Sequence, residues 1–166
     1  GGESSYGAYD QLWGLSGEIE AFRVPPLRRL LSASPIRDMV SSLMADRMFD
    51  RFPNLRVATV ETGSDWVRPL LKKLASVANQ VPGELGGDPV AAFREHVWVS
   101  PFFEDDVADL IDALGADRVL FGSDWPHAEG LAEPASFIKE LDGVDRSATR
   151  RIMHDNAREL VSPRPR

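Results

Sequence analysis

Two carboxylates, Glu61 and Asp124, each stand at or just beyond the end of a short apolar run, 55–60 (LRVATV) and 118–121 (RVLF), and His127 follows in FGSDWPH. A carboxylate and an imidazole three residues apart can share a divalent cation or pass a proton. If the apolar runs are parallel strands, side chains past their C-terminal ends converge on the ligand, which makes Glu61, Asp124 and His127 the candidate catalytic residues and Asp124 the first candidate metal ligand. Each also has a purely structural use. Asp124 could form an Asx-turn or cap the next helix, Glu61 could make an ion pair or a cap at the strand rim, and His127 could bond Glu129 at the surface. Gly122 permits close backbone approach, while Trp125 and Pro126 stiffen the loop.

The remaining chemistry-bearing residues read as structural. His96 directly precedes an apolar run and His154 falls in the middle of a helical stretch. The tetrapeptide GSDW occurs at 63–66 and again at 122–125, but Asp124 lies six residues after Arg118 whereas Asp65 lies nine after Arg56. In strand register Asp124 therefore matches the neighbourhood of Glu61, and Asp65 is expected to cap a helix. Glu104, Asp105 and Asp106 are expected to complement a helix dipole. Trp66, Trp98 and Trp125 could wall a pocket for a planar substrate or serve as core, and Asn156 could tie the last helix to a loop.

Three short apolar strands, at 55–60, 97–100 and 118–121, are needed to position these groups. Between them the pattern is helical. Ser34 and Pro35 open a helix running to about Phe49. Val67, Leu70, Leu71, Leu74 and Val77 mark a second helix, followed by a loop at 79–89. A short helical stretch surrounds Phe93. Val107, Leu110, Ile111 and Leu114 form a further stripe that Gly115 ends. A short helix at 133–141 and a final one at 145–161 complete the alternation. Strands alternating with amphipathic helices specify βαβ units, hence an α/β fold with a parallel sheet.

Composition narrows the function. With 166 residues, 43% of them apolar, the chain can bury one core. A net charge of −7 with no basic block disfavours a nucleic-acid partner. No apolar run reaches the roughly 18 residues that span a bilayer, so a cytoplasmic location is expected. Without cysteine, a metal must be held by His, Asp or Glu.

The segments RFPNLRVATVETGSDWV, VWVSPFFEDDV, GADRVLFGSDWPHAEGLAEP and IMHDNARELV resemble the C-terminal third to half of the amidohydrolase-related family, which includes aminocarboxymuconate-semialdehyde decarboxylase and related decarboxylases and hydrolases. The resemblance implies a (β/α)8 TIM-type barrel of which the three runs are strands six to eight, and it makes Asp124 the metal-binding and proton-transferring Asp after strand eight. The family's His-x-His pair and strand-five His have no counterpart here, and GGESSYG resembles the loop just beyond that His. The expected organisation is one partial barrel domain over 1–166: a loop-rich lead-in (1–33), βα units (34–161) and a tail (162–166). Such barrels take about 250 residues, so the remaining ligands are expected upstream. Glu61 departs from the family's decarboxylases, which place a His after strand six, so hydrolysis or another lyase step becomes more open. The resulting expectation is a metal-dependent hydrolase of a small organic molecule, with zinc the first choice of divalent metal, Asp124 as proton shuttle and Glu61 and His127 orienting substrate or water. A metal-dependent non-oxidative decarboxylase and an inactive partial barrel serving as an interaction module are the alternatives. Either association with an N-terminal half or homo-oligomerisation would cover the open sheet edge.

Overall fold

The computed structural model describes residues 34–125, 127 and 130–163. The expected lead-in over 1–33, the end of the tail and the contact between His127 and Glu129 lie outside them. Ser34 accepts a hydrogen bond from the Arg37 amide and Pro35 occupies the first turn of α1 (Pro35–Ala45). The expected single helix breaks after Ala45 because Arg47 takes a left-handed conformation (φ 52°) before a short α2 (Met48–Arg51). The ridge of α3 (Val67–Gln80) buries Val67, Leu70, Leu71 and Leu74, the i, i+3, i+4, i+7 spacing of one helical face. That helix extends to Gln80, so the loop begins two residues later than the composition predicts. Asp88 accepts from the Val90 and Ala91 amides to start α4 (Pro89–His96).

The sheet is parallel, as the alternation of elements predicts, and shorter than the apolar runs. β1 (Val57–Thr59) pairs in register with β2 (Val97–Val99), Val57 opposite Val97 and Thr59 opposite Val99. Leu55 and Arg56 leave the ladder because their polar groups have other partners. The Leu55 carbonyl is 2.7 Å from His96 Nδ1. The Arg56 guanidinium donates to the carbonyls of Glu159 and Ser162 at the end of the last helix. The third run does not form a full strand. It contributes a single parallel bridge, Val99 to Val119, with the Leu120 amide donating to the Val99 carbonyl at 2.8 Å. Ala116–Arg118 is instead a 3₁₀ turn, and past Leu120 the Phe121 amide donates to the Ile152 carbonyl at 3.1 Å, so the pairing does not extend beyond this bridge.

Val40, Phe49, Leu70, Phe93, Val97, Val99, Val107, Leu110, Val119, Phe137 and Ile152 belong to one buried cluster. Asp106 caps α5 (Val107–Leu114) through the Asp109 amide at 2.9 Å, and Gly115 (φ 84°) ends it. The short helix at Pro134–Leu141 is 3₁₀. The final helix is continuous but interrupted in its winding: α6 (Arg146–Arg150), a π turn (Arg151–Asp155) and α7 (Asn156–Val161). The Ile152 carbonyl, within this π turn, receives the Phe121 amide. Among the described residues no helix is long and apolar enough to cross a membrane.

Candidate metal and substrate site

Three non-glycine residues among those described have positive φ, and two of them are Glu61 (55°) and Asp124 (51°). An L side chain in this region costs roughly 1–2 kcal/mol, and such strain persists only where surrounding contacts fix it. For Glu61 those contacts come from the loop after β2. Gly63 (φ 62°) leaves room for the Phe102 ring, which a Cβ would meet at 3.0 Å. Ser64 Oγ donates to Asp105 at 3.0 Å, and the same Asp105 oxygen accepts the Phe102 amide at 3.0 Å. Asp105 thus bolts the loops after β1 and β2 together, a more specific role than the helix-dipole one expected of it. Asp65 is exposed and does not cap α3, whose N-terminal residue is the buried Trp66 without a side-chain cap; the Trp66 indole donates to the Gly63 carbonyl.

Asp124 is positioned from the other flank. Asn156, fully buried, donates from Nδ2 to the carbonyls of Ala116 and Val119, both at 2.7 Å, and so clamps the chain leading to the loop. Phe121 packs on Phe137 with ring centroids 5.4 Å apart. The Asp124 carbonyl then accepts the His127 amide at 2.9 Å, and Gly130 lies close enough that a Cβ would meet this carbonyl at 2.9 Å. The turn returns His127 to Asp124, with Nδ1 3.1 Å from Oδ1.

These two flanks bring all three predicted residues together: ligand atoms of Glu61, Asp124 and His127 lie within 4.8 Å of one another. One imidazole nitrogen and two carboxylates form a donor set suited to zinc, manganese or a similar divalent cation. The Asp124 side chain is 21% exposed and that of His127 57%, so the cluster opens to one side. It borders a cleft of about 440 Å³ lined by Val60, Glu61, Ser100, Pro101, Phe102, Phe103, Glu104, Gly122, Ser123, Asp124 and Leu131. Trp66, Trp98 and Trp125 do not wall it. Trp66 and Trp98 are core, Trp98 beneath the Arg118 guanidinium at 4.4 Å, and Trp125 is 66% exposed outside the lining. The aromatic wall is Phe102 and Phe103. Glu104, assigned from sequence to a helix terminus, lines the cleft, and Ser100 was not singled out at all. The available signal was that SPFFE follows the middle strand directly, as ETG follows β1. His96, stacked on Phe49 at 4.5 Å, and His154, paired with Asp155 at 2.7 Å, are structural as expected.

Comparison with known proteins agrees with this architecture. The family model described as amidohydrolase matches residues 25–162. A crystal structure of an amidohydrolase from Mycobacterium avium subsp. paratuberculosis K-10 is 40% identical with a TM-score of 0.86, covering 96% of this chain and 40% of that one. Dihydroxybenzoic acid decarboxylase from Polaromonas sp. JS666, solved with bound manganese and the inhibitor 2-nitroresorcinol, is 22% identical with a TM-score of 0.62, covering 95% of this chain and 46% of that one, and shares the fold. The chain therefore spans less than half the length of either protein, which fits part of a TIM-type barrel. With a family match over most of its length and parallel βα units carrying His, Asp and Glu at one sheet end, the chain belongs to the amidohydrolase family.

Proposed function

We propose that this chain supplies strands six to eight, and the Asp-bearing side of the active site, of a metal-dependent hydrolase acting on a small organic substrate. The observation that carries the reading is the convergence of Glu61, Asp124 and His127 within 4.8 Å at the C-terminal end of the parallel strands. The family is metal-dependent, and a divalent ion bound here would polarise a carbonyl and acidify a water. Asp124 would be among the residues that hold such an ion, and its carboxylate would accept the proton released from the attacking water. His127, hydrogen-bonded to Asp124, carries that proton onward toward the leaving group. Glu61 orients the water from the opposite flank. A carboxylate there suits water activation, which is why hydrolysis is preferred to decarboxylation. The activity belongs to a barrel of the full length of its relatives, in which upstream residues complete the ligand set.

Calorimetric titration with Mn²⁺ and Zn²⁺ tests the ligand assignment on this chain directly. Binding is expected to be weak, and Asp124→Asn should lower affinity by at least about tenfold while Asp65→Asn leaves it unchanged. In the full-length barrel, Asp124→Asn should reduce turnover by at least about a hundredfold, the scale of lost general acid–base catalysis. Equal effects of the two substitutions, or a fully active Asp124→Asn, overturn the assignment. Release of CO2 without water incorporation would replace hydrolysis by decarboxylation.

A further inference from the structure

We infer that Ser100 is the group that receives a substrate oxygen, and hence that the cleft takes a small molecule with an apolar body and a carbonyl or carboxyl oxygen. The inference rests on reading this cleft as the substrate site. Ser100 follows the last residue of β2, the middle strand, between the flank carrying Glu61 and the flank carrying Asp124. It is 6% exposed, and its hydroxyl has no hydrogen-bond partner among the described residues, although it lines the cleft. The oxygen is not among the fully buried atoms left without a partner, so it reaches the open space of the cleft, where its proton can be donated to a ligand.

Gly122 shows that the hydroxyl is given space. Its backbone is not in the left-handed region, unlike Gly63, Gly115 and Gly143, so conformation does not require glycine there. A Cβ at this position would overlap Ser100 Oγ. The ligand chemistry follows from the other lining groups. Glu61, Glu104 and Asp124 are acceptors when ionised, and no Lys or Arg lines the cleft among the described residues. Ser123 Oγ accepts the Trp125 amide and keeps its own proton to donate, but it sits on the Asp124 flank, not at the end of the middle strand. Substrate donors thus have three carboxylates to choose from, whereas a substrate acceptor oxygen has the hydroxyls of Ser123 at the Asp124 flank and of Ser100 at the end of the middle strand, the one for which Gly122 leaves space. Phe102, Phe103 and Leu131 supply the apolar wall for the rest of the molecule.

Fluorine NMR titration of the chain with 4-fluoroacetophenone, and with 4-fluorotoluene, which lacks the oxygen, tests this. Ser100→Ala should weaken 4-fluoroacetophenone about three- to tenfold, the worth of one hydrogen bond, and leave 4-fluorotoluene unchanged. Gly122→Ala, which keeps the hydroxyl but displaces it, should give the same selective loss. Mn²⁺ affinity, which reports on Asp124 and the hydrolase reading, should be unaltered by Ser100→Ala. No binding of 4-fluoroacetophenone to the unsubstituted chain, an equal loss for both probes, or no loss in Ser100→Ala overturns the assignment.

Discussion

Replacing Gly122 by alanine sets two effects of opposite sign against each other. Because the Gly122 backbone lies outside the left-handed region, alanine is conformationally compatible and, through the unfolded state, should stabilise by roughly 0.4–1 kcal/mol. Against this, the new Cβ occupies the position of Ser100 Oγ. Ser100 is almost completely buried, so its hydroxyl moves only by disturbing its neighbours, and overpacking of this kind costs roughly 1–3 kcal/mol. The net expectation for Gly122→Ala is a loss of about 1–2 kcal/mol. The double variant Ser100→Ala/Gly122→Ala behaves differently, because the added Cβ then meets only the Ser100 Cβ, at an ordinary 3.6 Å. It should be as stable as the Ser100→Ala parent or better, giving a coupling of roughly 1.5–3 kcal/mol between sites 22 positions apart in sequence. Urea unfolding of the four proteins measures the cycle. Additivity within about 0.5 kcal/mol, or a Gly122→Ala that is itself stabilised, would show that the hydroxyl does not fill the space of the missing side chain.

The buried clamp of the last helix is tested by Asn156→Asp, which keeps the shape but turns a carboxylate toward the Ala116 and Val119 carbonyls; stability should fall by about 3 kcal/mol or more, and a loss under about 1 kcal/mol in thermal unfolding would sink the clamp. Asp155 is held below the usual carboxylate range, first by its hydrogen bond with His154 and then by the nearby Arg150 charge. A depressed folded pKa gives stability that is present above the ordinary carboxylate value and lost as pH falls through the folded one, so Asp155→Asn should flatten the acid limb of the stability profile; an unchanged slope refutes the contribution. In isolation the chain presents Val60 (59% exposed) beside β1, whose outer edge is unpaired among the described residues. Concentration-dependent self-association is therefore expected in sedimentation experiments, and a strict monomer that binds no apolar dye would count against it.

Sequence alone determined what short-range periodicity and covalent geometry can encode. The apolar stripe of α3, the glycine stop after α5, the two strand cores and the parallel pairing all follow from local spacing. Asp124 stood out because FGSDWPH combines motif resemblance with a strand end. Tertiary structure decided everything that depends on distant partners. Two copies of GSDW part company because Trp66 has a core to enter and Trp125 does not. The run 118–121 keeps one bridge because it begins in a 3₁₀ turn and its Phe121 amide goes to the π-turn carbonyl of Ile152. Glu104 left the helix terminus for the cleft, and Ser100 became legible only once Gly122 lay against its hydroxyl. The left-handed backbones of Glu61 and Asp124 run against local preference and are held by contacts from β2's loop and the last helix. Register and long-range packing select such conformations, and neither is written in the residues next to them.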